Sequence, residues 1–397
     1  MTSVRDRIER LLGALLGLSA SGRILLSLAA VAAAIAVGMG IILAAGSVAA
    51  CSTPKLALFG VEFCYDPIEV YAVLLGGAFG NPYNVAATLQ RTTLLLCTGL
   101  SFAIAYKAGL FNIGAQGQFV LGSLATAVVV LALAPFAPAG RAGGAVLVPA
   151  GILAGCLVGG LYGFFPGFLK VQYDTNEVIT TLLLNFIATA VAFVVVDRYF
   201  NDETVQGTAT ESIPDAATLG PRIFPQGSDF SLPVLVLVLG VVGVFFWLLT
   251  RTTIGYDIQT AGTQPKAAAF GGVDERFTTL YSMTLAGVVA GLGGALFVLM
   301  VLGRWQTGAP SVGFDGIAVS ILAGNNPIGL IPSGLLFGAL DSGSQAIEFQ
   351  LAVPGELIDV LQGLIILFVA TPELFRMLGR HLDRRGTIDL KSGGEKR

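Results

Sequence analysis

The chain has 397 residues, 54% of them hydrophobic and only 12% charged, with a formal net charge of −3 and a mean hydropathy of +0.80. Soluble domains carry about 25% charged residues, so this composition excludes an ordinary soluble protein, and the absence of a basic surplus excludes a nucleic-acid partner. Several apolar stretches exceed the roughly 18 to 20 residues that cross a bilayer, so the chain reads as an integral protein of the lipid bilayer with many spans.

In chain order, the first predicted span is Ile24–Gly46. It runs into Val48-Ala49-Ala50-Cys51, which looks like a lipoprotein cleavage site, but the apolar stretch is too long for a signal-peptide core and reads as a membrane helix. Ile68–Gly80 is too short to cross and is expected at the interface. Spans two to five are Val85–Tyr106, Asn112–Ala134, Gly144–Leu169 and Glu177–Val196. After the polar stretch Asp197–Asp229, span six is Leu232–Thr250, a polar segment runs from Arg251 to Arg276, and span seven is Phe277–Leu302. Gly316–Ala323 is short and broken by Asn325-Asn326-Pro327, since the residue before proline avoids the helical region. Ile328–Leu340 and Glu356–Thr371 complete ten spans.

Positive charge orients the map. With the amino terminus in the cytoplasm, 16 of the 22 Lys and Arg fall on that side and 6 on the other, as the positive-inside rule requires. Ten spans put both termini in the cytoplasm of a prokaryotic cell and the acidic stretch with Asp202, Glu203, Glu211 and Asp215 outside.

Two faint internal matches recur five spans apart. Ile113–Gly117 pairs with Val312–Gly316, and Glu177–Leu183 with Glu356–Gln362. An odd offset inverts the second half relative to the first, an arrangement that places a translocation path at the repeat interface. Small residues recur every fourth position as Gly151, Gly155, Gly159, Gly163 and Gly167, as Gly287, Gly291 and Ala295, and as Gly334, Gly338 and Ser342. Such stripes let helices approach closely.

Enzyme chemistry has few residues to use. There is no phosphate-cradling GxxxxGK[ST] loop. His381 is the sole histidine and lies in a charged tail, and Cys51, Cys64, Cys97 and Cys156 are scattered, so neither a metal site nor a nucleophile–base arrangement is available. The reading is of no catalytic residue, no metal and no cofactor. Cys51 and Cys64 share one external loop and could pair, but free thiols are expected. Glu177, Glu356 and Asp359 sit at helix starts, where a carboxylate serves as a cap. Asp315 and Asp341 are the deepest carboxylates and the only pair on which an ion-coupled carrier could rest.

The candidate solute path starts at Phe111, Asn112, Gln116 and Gln118, with Asn185 two turns beyond Glu177 and Asp315 in the second half. An unsatisfied amide in hydrocarbon costs several kcal/mol, so this cluster faces protein or a watery cavity. One aromatic face with several amides suits a nucleobase, which offers a ring to stack on and mixed donors and acceptors at its edge. The alternative is that the amides cap span three and tie it to its neighbours. Both readings stay open on sequence alone.

The segment between spans six and seven reads as two short cytoplasmic helices broken at Gly262–Pro265, with small residues on one face suited to a groove on a partner protein. With it, the chain resembles the permease subunits of ABC-type importers that serve sugars, nucleosides and branched-chain amino acids, closest to the nucleoside branch. Gly109–Gln118, Asn176–Ala188, Gly255-Tyr256 through Gly271, and Gly324–Gly329 carry the resemblance in family order over roughly residues 20 to 375. Gln116 departs from it, since relatives usually have glutamate there, and Gly324 stands where arginine is common.

The resemblance implies a separate ABC ATPase subunit engaged by Gly255, Tyr256, Gln259, Ala261, Gly262, Pro265, Ala268 and Gly271. It also implies a second, similar permease subunit in a heterodimer and an external solute-binding lipoprotein. The expected architecture is an all-α polytopic membrane protein of about ten transmembrane helices in two inverted five-helix halves. Residues 1–375 form one permease domain, with halves 24–196 and 232–371, and 376–397 are a charged tail. Nucleosides are the expected solute, with simple sugars or branched-chain amino acids as alternatives.

Overall fold

The computed structural model describes residues 20–51, 53–58, 60–220, 224–225, 227–351 and 353–368, with backbone alone for 20–31 and 58. His381, the 376–397 tail and the last three residues of the tenth predicted span lie outside them. Contacts divide the chain into two compact units, residues 1–77 with 343–397 and residues 78–342.

In the first unit, α1 (Ala20–Val48) is followed by a hairpin of β1 (Leu56–Leu58) and β2 (Val61–Phe63), paired antiparallel with Leu56 opposite Phe63. The turn uses Gly60 at φ 81°, a conformation that favours glycine. The hairpin returns the chain to the end of α1, where the Cys64 amide donates to the Gly46 carbonyl at 2.9 Å. Cys51 and Cys64, with Cα atoms 5.8 Å apart, are there joined in a disulfide. This corrects the expectation of free thiols. Two strands of three residues are too short for any alternation to announce the hairpin that brings the cysteines together. Lys55 pairs with Glu69 at 3.5 Å on α2 (Pro67–Phe79).

The second unit begins with α3 (Pro82–Lys107), capped by the Asn81 side chain, which accepts from the Asn84 amide at 2.9 Å, with Pro82 in the first turn. Its 26 residues span about 39 Å at 1.5 Å per residue. Every residue from Thr92 to Ala105 is buried, so this helix lies among other helices, and its threonines return their hydroxyls to backbone carbonyls. Then come α4 (Ala115–Leu133), α5 (Arg141–Tyr173), α6 (Glu177–Tyr199), α7 (Leu232–Arg251), α8 (Thr253–Thr263), α9 (Pro265–Phe270) and α10 (Glu275–Leu296). A wide π-helical turn over Phe297–Leu302 continues α10, and α11 (Val312–Leu322) and α12 (Leu330–Leu351) follow. Residues 355–368 form a last described helix, α13, in the first unit.

Within the second unit, α10 packs on α3, α4 and α5, and is buried almost throughout. The predicted glycine stripes explain how. A Cβ on Gly159 would lie 2.6 Å from the Gly291 Cα and 2.5 Å from the Gly287 carbonyl, and one on Gly155 would lie 3.0 Å from the Gly291 carbonyl. The α5 and α10 backbones therefore touch. On α12, Gly338 sits equally close to Thr88 and Thr92 of α3.

The protein is an all-α polytopic membrane protein; among the described residues, β structure is confined to the small hairpin and two isolated bridges, Asn201 with Thr210 and Ala209 with Gln306. Among the described residues, five helices are long and apolar enough to cross a membrane, within 115–136, 141–173, 177–199, 232–251 and 275–302. α3 is long enough but too polar to count, because protein rather than lipid surrounds it. Two predicted boundaries shift. The ninth apolar stretch was expected to end at Leu340, yet α12 runs to Leu351 through Asp341, Ser342 and Ser344. Asp341 is tolerated within that helix because Arg91 of α3 pairs with it. The broken eighth stretch is the 11-residue α11, closed by a turn in which Asn325 takes φ 54° and accepts a hydrogen bond from the Ser320 hydroxyl at 2.9 Å.

Candidate functional site

The candidate site surrounds the irregular turn between α3 and α4. Gly109, at φ 77°, ends α3, and residues 110–114 cross to α4 with no helical ladder of their own. Buried backbone groups in such a turn need partners from elsewhere. Asn112 Oδ1 accepts from the Gly114 amide at 2.9 Å, and its Nδ2 donates to Gln118 Oε1 at 3.3 Å. Asn185 of α6 accepts from the Gly117 amide at 2.8 Å and donates to the Ile113 carbonyl at 3.0 Å. Thr181, one turn earlier on α6, accepts from the Ile113 amide at 3.2 Å.

Gln116 reaches the start of α11. Its Nε2 donates to the Pro310 carbonyl at 3.0 Å, and its Oε1 accepts from the Gly313 amide at 2.8 Å. The starts of α4 and α11, which are the two segments matched in the sequence, thus meet at Gln116. Gly313 lacks a side chain where one is impossible, because its Cβ would fall on the Gln116 backbone. Thr98 of α3 secures the same end of α11 by donating to the Val312 carbonyl at 2.7 Å.

Asn112, Gln116, Gln118 and Asn185 are all buried, and each is hydrogen-bonded within this chain. Their geometry is that of caps and ties. Phe111 is half-buried and meets Phe102 edge-on, with ring centroids 4.9 Å apart. Asp315 stands apart on the exposed face of α11 beside Phe314. Asp341 faces Arg91, so the two carboxylates do not form an ion-coupling pair of free acids. Asn176 caps α6, accepting from the Val178 and Ile179 amides, while Glu177 in the first turn bonds Lys170 at 2.8 Å. Among the described residues, no three His, Cys, Asp or Glu side chains gather as metal ligands would.

The two short helices of the polar connection are present as α8 and α9, broken at Gln264. Thr252 caps α8 by accepting from the Gly255 amide at 3.1 Å, and Asp274 caps α10 by accepting from Phe277. The small-residue face turns inward onto this chain. Gly255 abuts Leu248 and Leu249 of α7, Gly262 abuts Lys107, Ala108 and Gly109, and Ala261 and Ala268 are buried. Gln259 folds back, donating to the Leu249 and Gly255 carbonyls. The groove that accepts the small face thus belongs to the same chain, at the end of α3. Tyr256, Pro265, Gly271 and above all Phe270, which is 96% exposed, look outward.

Sequence reasoning missed Thr181, Pro310 and Gly313. Thr181 was detectable, since it falls midway in the four-residue spacing from Glu177 to Asn185. Pro310 and Gly313 act through backbone groups, which leave no signal in side-chain chemistry.

Residues 84–370 match the family described as the branched-chain amino acid transport system permease component. The guanosine ABC transporter permease protein NupP of Bacillus subtilis is 32% identical over 330 residues, covering 81% of this chain and 91% of that protein. The nucleoside ABC transporter permease protein NupB of Lactococcus lactis is 30% identical, covering 86% and 94%. The glucose ABC transporter permease protein TsgB13 of Haloferax volcanii is 31% identical, covering 81% and 85%. A buried helical bundle with a short helical pair packed on its end, matched across this length, places the chain in that family of ABC transporter permease subunits.

Proposed function

We propose that this chain forms the solute path of an ATP-driven nucleoside importer. The reading is carried by the near end-to-end similarity to the guanosine permease NupP, supported by NupB. The similar identity of a glucose permease makes a simple sugar the second reading. Residues 1–375 are proposed as one permease domain, paired with a similar permease in a heterodimer and fed by an external binding lipoprotein. Catalysis belongs to a separate ATPase. Its dock is the outward face of α8 and α9, with Phe270 and Tyr256 as the side chains offered to a groove.

The complex reconstituted in proteoliposomes with its ATPase and binding protein should import labelled guanosine on ATP addition and ignore uncouplers. Import of glucose or leucine without any nucleoside would overturn the solute assignment.

The proposed orientation puts the Cys51–Cys64 disulfide outside, where such bonds persist, and α8–α9 inside. In a chain with Cys97 and Cys156 replaced by alanine, Gln206→Cys should react with an impermeant maleimide on intact cells. Thr263→Cys, equally exposed, should react only after the membrane is opened. Labelling of Thr263→Cys in sealed cells would reverse the topology.

A further inference from the structure

We infer that Glu177, Thr181 and Asn185, one stripe on α6, position the 109–117 turn as a rigid block through which displacement of α8 reaches the membrane helices. The inference rests on the reading of α8–α9 as the ATPase dock.

Three observations meet in it. First, α8 touches the turn through backbone. A Cβ on Gly262 would lie 2.6 Å from the Gly109 amide nitrogen and 2.7 Å from the Ala108 carbonyl carbon, and one on Gly109 would lie 3.1 Å from the Gly262 Cα. No side chain stands between them to yield, so a push on α8 arrives at residues 108–109 undiminished. Second, the turn that receives the push has no ladder of its own over 110–114. Left alone it would bend rather than transmit. Third, α6 supplies the missing bonds at four-residue spacing, which sets the three side chains on one face of the helix. Thr181 accepts from the Ile113 amide at 3.2 Å, Asn185 donates to the Ile113 carbonyl at 3.0 Å and accepts from the Gly117 amide at 2.8 Å, and Glu177, one turn before Thr181, ties the same face to Lys170 of α5.

The near end of the stripe is itself fixed. Lys170, near the end of α5, bonds Glu177 at 2.8 Å. The Glu177 side chain is only 15% exposed, so this carboxylate is held largely out of solvent against Lys170. At the far end Gln116 hands the block to α11. Three elements, α5, α6 and α11, are thus tied around one turn, and the turn sits under α8.

The test uses the full complex with its ATPase in proteoliposomes, with labelled guanosine as probe and uptake per ATP hydrolysed as readout. Glu177→Leu and Thr181→Val should keep the ATPase bound and hydrolysing while uptake per ATP falls at least about fivefold, the lower end of usual coupling energies. Glu177→Gln keeps an acceptor for Lys170 and loses the charge, so it should fall between native and Glu177→Leu. It also serves as the readable variant if the leucine change fails to fold. Less folded complex with unchanged uptake per ATP in Glu177→Gln and Thr181→Val would overturn the inference, because a merely structural stripe behaves that way. Phe270→Glu separates the two readings. If it leaves the ATPase bound and import normal, the dock reading falls. If it releases the ATPase while the stripe variants import normally per ATP, the positioning role alone falls.

Discussion

Gly159→Leu is expected to eliminate folded protein from the membrane. The first added carbon would already lie 2.5 to 2.6 Å from the Gly287 carbonyl and the Gly291 Cα, and these are backbone atoms that no rotamer change can move. Overpacking a core usually costs about 1–3 kcal/mol because side chains give way. Here the helices must part, and the loss propagates along Gly155, Gly163 and Gly167, which rest on the same face of α10. Gly243→Leu on α7 is the matched control, since nothing lies within 4 Å of its Cβ position. Fluorescence-detected size exclusion in mild detergent should show a monodisperse peak for Gly243→Leu and none for Gly159→Leu. Equal peaks would show that α5 and α10 do not meet through backbone.

Gln116→Leu should give the largest loss among the amide variants, in both stability and transport. It strands the Gly313 amide and the Pro310 carbonyl, two backbone groups that Gln116 serves at 2.8 and 3.0 Å. The Gly313 amide is buried, and leaving such a group unpaired costs about 1–3 kcal/mol, whereas exposed Pro310 can turn to water. Gln116→Glu should be milder. Its carboxylate still accepts from Gly313 and sits between the starts of two helices, where negative charge is favoured, but it cannot donate to Pro310. Thermal melting of purified protein should rank native above Gln116→Glu above Gln116→Leu. If Gln116→Leu melts with the native chain and only transport is lost, the amide faces solute instead of tying α4 to the start of α11.

The fold was legible where chemistry is periodic. Apolar runs located most of the helices, though the ninth stretch stopped eleven residues short of the end of α12, and glycines at every fourth position announced close helix approach without saying which helices pair. The disulfide was not legible, because its partners meet only after a hairpin too short to show a pattern. For the candidate site, the sequence named Asn112, Gln116, Gln118 and Asn185, which the structure brings together around one turn, but left their role open. An amide beside glycines looks alike whether it holds a solute or a backbone, and only the positions of Ile113, Gly117 and Gly313 separate the two. The α8–α9 segment taught the same lesson in reverse. A small-residue face marks a close approach, and which chain makes it depends on the tertiary fold that places Lys107–Gly109 beneath Gly262.

The π-helical turn that ends α10 has a mechanical consequence. The chain from α8 through α9 enters α10 at the Asp274 cap, and at the opposite end the wide turn lets the Leu299 carbonyl accept from the Leu219 amide at 2.6 Å. Just beyond it, Gly303 and Trp305 take the amides of Ile213 and Thr210 at 2.8 and 2.9 Å. One helix is therefore bolted to the short helical pair at its foot and to the long polar loop at its head. A tilt of such a helix at its foot would have to be taken up at its head by the hydrogen bonds to residues 210–219.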